Sequence, residues 1–179
     1  MTLARRIAIG LFAAAALSLA SCSARRPAPV PRPAPIVVAP PPAVPSAAAY
    51  VESAASIDLL VVRASELLLE RSSDPAARAL AAELGAGHRG LAAQLSLAGR
   101  RLNLLPSARL LARHQHRLDA LARRQPADAA FAQEMMLAHH QSLALHASFA
   151  ARGGSATLRP VAAHAVRVER AHLARLRAS

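Results

Sequence analysis

Five residues carry most of the chemistry open to this chain: Asp58, His88, His139, Glu169 and His172. Imidazole and carboxylate together make the ligand set of a divalent transition ion, and equally the parts of a buried polar layer that satisfies itself. Their places in the chain predict that they meet. Asp58 and His88 each lie fifteen residues from a turn signal at Ser73, and His139 and Glu169 each lie fifteen residues from Gly154. If each span is a helical hairpin, each levels one carboxylate with one histidine, about 22 Å from its turn at 1.5 Å per residue. Both separations are thirty residues, which hints at a duplicated two-helix unit. Glu169-Arg-Ala-His172 adds a Glu-x-x-His step. At i, i+3 both side chains leave one side of a helix, as the ligands of two-metal carboxylate bundles do. Spacing alone leaves a metal site and a structural polar layer both open.

The other histidines separate from this set. Ala127 to Arg152 has no Pro or Gly, and it carries His139, His140 and His146. Phe131, Met135, Ala138, Ser142, Leu145 and Phe149 recur at helical spacing and define one face. His139 and His146 flank that face, while His140 points away from it. His146 is two turns from His139, about 10 Å along the axis, so the two cannot share an ion. His114-Gln-His116 directs its rings to opposite sides of a helix. Met135-Met136 reads as core packing rather than as a soft copper ligand. No Ser–His–carboxylate set can be placed, and the one cysteine, Cys22, lies outside the helical domain at the position expected to be lipidated, so a non-enzymatic protein is expected.

These residues need helices to position them, and the chain supplies them. It is rich in Ala, Leu and Arg, has no Lys or Trp, and has only 2% aromatics, which points to an all-α fold. The pattern predicts helices over 48–72, 75–102, roughly 107–124, 127–152, and from 155 or 160 to 177. Ser73-Asp74-Pro75, Pro106, Gln125-Pro126 and Gly153-Gly154 separate them. Three glycines, Gly85, Gly87 and Gly90, interrupt the second helix at about 1 kcal/mol each relative to Ala, a cost that close helix approach or a bend would explain. Four long helices and one short one with brief connections predict an antiparallel four-helix bundle with one additional short helix over residues 48–179.

Two segments precede the domain. Residues 1–21 resemble a lipoprotein signal peptide, with Arg5 and Arg6 before an apolar run of thirteen residues, Ile7 to Leu19. Leu19-Ala20-Ser21-Cys22 resembles the bacterial lipobox, which implies cleavage and lipidation (palmitate) at Cys22. Ser23 rather than Asp after it implies an outer-membrane anchor facing the periplasm. Residues 22–47 form a Pro-rich tether: nine of the thirteen prolines fall there, and an extended polyproline spacer is expected. Net charge is +12, and removing Arg5, Arg6, Arg25, Arg26 and Arg32 leaves +7 for the domain (12 − 5). This favours anionic surfaces, but the scarcity of aromatics argues against a nucleic-acid partner.

From Tyr50 to Leu176 the chain resembles the domain of unknown function 4142 family, bacterial envelope proteins with ferritin-like bundles. The matching pieces are Tyr50-Val-Glu-Ser-Ala-Ala, Arg71-Ser-Ser-Asp-Pro-Ala-Ala-Arg, Gly87-His88, Phe131, His139 to His146, Ala151-Arg-Gly and Glu169-Arg-Ala-His172-Leu. The resemblance implies a ferritin-like fold. It also marks departures: Val61, Gly87 and Ala132 stand where the family usually has acids. The Met-Leu-Ala-His139-His140 run is similar to a second family, domain of unknown function 305, some of whose members are linked to copper. The leading expectation is a lipid-anchored, periplasm-facing envelope protein serving interaction or structure, with no cofactor. The alternative is a bundle that binds zinc, copper or iron through His88, His139, Glu169 and His172, with Asp58 as a further candidate ligand. A third is an Arg-rich module that binds anionic lipid. An envelope protein is the other expected partner.

Overall fold

The structure, a computed structural model, describes residues 43–179. The leader-like segment, Cys22 and most of the tether lie outside these residues. Within them the chain forms five α-helices and no strand: α1 (Ala47–Arg71), α2 (Pro75–Arg100), α3 (Ala112–Arg123), α4 (Ala127–Arg152) and α5 (Leu158–Arg177). Hairpin α1–α2 packs on hairpin α4–α5, with α1 against α4 and α2 against α5, while the short α3 lies on α1 and α4. No helix of the described residues is long and apolar enough to cross a membrane.

Local chemistry sets the helix ends. Ser46 Oγ accepts from the Ala49 N–H at 3.2 Å, and Asp74 Oδ1 accepts from the Ala76 N–H at 3.0 Å, with Pro75 in the first helical position. Pro160 falls in the first turn of α5, where a missing N–H costs no helical bond, so it starts the helix rather than kinking it. Helix α2 ends at Arg100, two residues short of the expected end. There the Leu104 N–H returns to the Gly99 carbonyl at 2.9 Å, and the Leu104 carbonyl occupies the space a Gly99 side chain would need.

Helix α3 starts at Ala112 rather than just after Ser107. The reason is a side-chain competitor on α1. Ser56 Oγ accepts the Leu111 N–H at 2.8 Å and lies 2.7 Å from His114 Nδ1. Arg113 Nε–H donates to His114 Nε2 at 3.3 Å, so the ring proton sits on Nδ1 and is given to Ser56. Both Ser56 and His114 are buried. Replacing Ser56 with Ala strands two donors, the buried His114 Nδ1–H and the part-buried Leu111 N–H, and chemical denaturation is expected to show a loss of about 1–3 kcal/mol. An unchanged unfolding midpoint would contradict this anchoring role.

Apolar side chains fill both ends of the bundle. One cluster, including Leu60, Leu68, Leu84, Phe131 and Met135, lies toward the α1–α2 turn. The other, including Tyr50, Leu95, Phe149, Leu158 and Ala162, lies toward the opposite end. Between them runs a layer of buried polar residues.

Candidate metal centre

The layer is built from all four long helices: Asp58 on α1, His88 on α2, His139 on α4, and Glu169 and His172 on α5. Periodicity alone puts His172 on the core face of α5 and the other four at the margins of their apolar stripes. The packing buries them, with His88, His139 and Glu169 at 0% exposure and His172 at 7%. One ligand atom from each of His88, His139, Glu169 and His172 lies within 4.8 Å of the others.

The distances are those of a small coordination sphere. His139 Nε2 is 3.2 Å from His88 Nε2 and 3.3 Å from His172 Nδ1. Glu169 Oε1 is 3.7 Å from His88 Nε2. Four ligands around a tetrahedral ion at 2.0–2.1 Å stand about 3.3 Å apart.

Neighbouring groups orient the rings. His139 Nδ1–H donates to the Met135 carbonyl at 2.7 Å, which leaves only a lone pair on its Nε2. Asp58 does not join the four ligand atoms. Its Oδ1 holds His88 Nδ1 at 2.9 Å, on the far side of the ring, and so turns His88 Nε2 inward. Ser142 Oγ–H donates to Glu169 Oε1 at 2.7 Å.

Helix level correctly pairs Asp58 with His88 and brings Glu169 within 4.8 Å of His139. The Glu169 hydrogen bond itself goes to Ser142, because side chains lean toward the N-terminus of their own helix. Ser142, Gly87 and the Met135 carbonyl are parts of the site that sequence reasoning missed. Their only signal is spacing: Ser142 is three residues and Met135 four from His139.

Burial drives the electrostatics. It lowers His88 and His139 to about 3 and His172 to about 4, so all three rings are neutral at pH 7 and available as ligands. Burial raises Glu169 to about 8, against a smaller lowering by the Ser142 hydroxyl, and it raises Asp58 well above the usual carboxylate range. Without a cation, the 3.2 Å approach of His88 Nε2 to the His139 Nε2 lone pair needs the proton on His88 Nε2, which leaves His88 Nδ1 to accept from a protonated Asp58. That single lone pair is then used, and His172 Nδ1 faces it without a bond. Glu169 Oε2 is likewise buried with no hydrogen-bond partner among the described residues.

Gly87 makes the room for His172. A Cβ there would stand 2.5 Å from His172 Cε1 and 2.7 Å from Nε2. Gly85 similarly lets α2 approach Ser65, with a Cβ 3.1 Å from the Ser65 Cβ, whereas Gly90 faces open space and has no such role. Gly87→Ala is expected to displace the His172 ring and weaken metal binding at least tenfold by calorimetry. Wild-type affinity in that variant would show that the ring position does not matter.

His146 stands apart. Its Nδ1 is hydrogen-bonded with the Tyr50 hydroxyl at 2.9 Å, and Tyr50 stacks on Phe149 with ring centres 3.9 Å apart. His114 serves the α3 anchor, and His116 and His140 are exposed. Met135 is fully buried in the core, as its type suggests.

The model of a domain of unknown function, DUF4142, matches residues 32–178. The chain belongs to this family. The DUF4142 bundle is also similar in fold to a crystal structure of a DUF305 fragment from Deinococcus radiodurans. The TM-score is 0.65 at 18% identity, covering 77% of this chain and 97% of that one. No curated protein matches.

Proposed function

We propose that this DUF4142 domain binds one divalent first-row transition ion and holds it through His88 Nε2, His139 Nε2, His172 Nδ1 and a Glu169 oxygen. The observation that carries this is His139 Nε2, one lone pair facing two other ring nitrogens at 3.2 and 3.3 Å. No placement of single protons satisfies all three nitrogens and the orphaned Glu169 Oε2, whereas one cation satisfies them together. Three imidazoles and a carboxylate suit zinc, copper or iron.

Four protein ligands, nearly closed to solvent, make a site for holding an ion rather than for activating water, which needs an open position. The role is accordingly non-enzymatic: the ion supplies positive charge that ties α2, α4 and α5 together, and the chain supplies orientation through Asp58, Met135 and Ser142. Lipidation at Cys22 and an outer-membrane, periplasm-facing location are part of this proposal, supported by the lipobox-like residues alone.

The test is metal analysis after repletion and desalting. One ion per chain is expected for the wild type, and far less for His139→Ala. Substoichiometric metal in the wild type would defeat the proposal.

A further inference from the structure

A buried site needs a way in, and two features of the surface compete for that role. The first is a cavity of about 350 Å³ between α1, α2 and the connector to α3, lined by Asp58, Arg89, Ser96 and Pro106 among others. It reaches the centre only from behind. Asp58 holds His88 Nδ1, while Nε2 faces the ligand cluster, so an ion arriving there meets the wrong edge of the ring.

The second is the seam between α2 and α5. His172 is the one ligand with measurable exposure, 7% against 0% for the other three. Its ring lies directly on Gly87, which carries no side chain to hold it in place. The notch is spanned at one side by an ion pair, Arg175 Nε to Glu83 Oε2 at 3.1 Å, with both side chains about half exposed. Glu83 is one turn before Gly87, and Arg175 is three residues after His172. At the other side, Gly90 faces open space.

Building on the metal-site reading, we propose that the ion is exchangeable and passes across the α2–α5 seam, with His172 as the ligand that detaches and Gly87 as the notch it swings over. The ring detaches as a neutral imidazole, and water or an incoming chelator takes its place on the ion. The remaining three ligands stay, held by Asp58, Met135 and Ser142. The Glu83–Arg175 pair acts as a removable brace on this movement.

The experiment measures zinc uptake and its release to excess EDTA by stopped flow, on the full chain. Equilibrium stoichiometry, affinity and helicity are recorded first for each variant. Gly90→Leu removes a helical glycine and leans a side chain back over the notch; it is expected to slow uptake and release by the same factor, fivefold or more, at unchanged affinity. Arg175→Ala is expected to speed both severalfold. Ala92→Leu, which narrows the Asp58 cavity, is expected to change neither. Slowing by Ala92→Leu but not by Gly90→Leu would overturn the route, and so would rates indifferent to all three changes. A wild type that holds no zinc at equilibrium overturns the metal reading itself, and the exchange route with it, before any rate is measured.

Discussion

Loading one zinc ion at pH 7 will release close to two protons per chain. In the metal-free protein the His88–His139 contact needs the proton on His88 Nε2, so His88 Nδ1 accepts from a protonated Asp58, whose carboxyl burial pushes up; burial also places Glu169 at about 8, so it too is largely protonated at neutral pH. A cation among His88, His139 and His172 reverses both. Glu169 becomes an anionic ligand, and Asp58 becomes the carboxylate that accepts His88 Nδ1–H across 2.9 Å. The histidines add nothing to the count, since all three are already neutral. Affinity should therefore rise steeply with pH up to about 8 and then less steeply as Glu169 ionises unaided. Calorimetry in buffers of different ionisation enthalpy reads the proton count directly. Release of no protons would mean that the carboxylates play no part.

The metal-free protein will be most stable between about pH 6.5 and 7 and will unfold on acidification. Burial lowers His88 and His139 to about 3, and His114, His146 and His172 to about 4. Unfolded histidine titrates near 6.5. Below that pH the unfolded chain binds protons at five positions where the native chain does not, so stability present above 6.5 is lost as pH falls. The carboxyl groups act in the opposite sense. Glu169 titrates near 4.5 when unfolded and near 8 when folded, so in that window the native state binds the extra proton and stability falls as pH rises. Asp58 has the same sign. On the acid side, five protons against two leave up to about 4 kcal/mol lost per pH unit, enough to unfold an ordinary domain within a few units. On the alkaline side, Glu169 alone removes about 1.4 kcal/mol per unit up to pH 8, and bound metal should abolish that loss. Thermal melts from pH 4 to 9, with and without chelator, check both arms. A profile that rises steadily to pH 9 without metal would contradict the buried-acid assignment.

Much of this was legible in the residues. Helical periodicity and the capping residues mark the four long helices, because those signals are local. Equal distances from the two turns level Asp58 with His88, since hairpin geometry follows from helix rise alone. The rest depends on directions and partners that spacing does not encode. The start of α3 moved because Ser56, fifty-five residues away, takes the Leu111 N–H. Glu169 bonds Ser142 because side chains tilt along their own helix. Asp58 is counted among candidate ligands by type and level, but the ring of His88 stands between it and the centre. Gly87 reads as a missing family acid in the sequence; in the fold it is the space His172 occupies.

X-ray absorption on the zinc-loaded chain reads the ligand set itself. His88, His139, His172 and Glu169 together give four nitrogen and oxygen neighbours at about 2.0–2.1 Å, with the outer-shell pattern of three imidazoles. Six light neighbours with one imidazole or none would place the ion on exposed residues such as His116 or His140, and would contradict that ligand set.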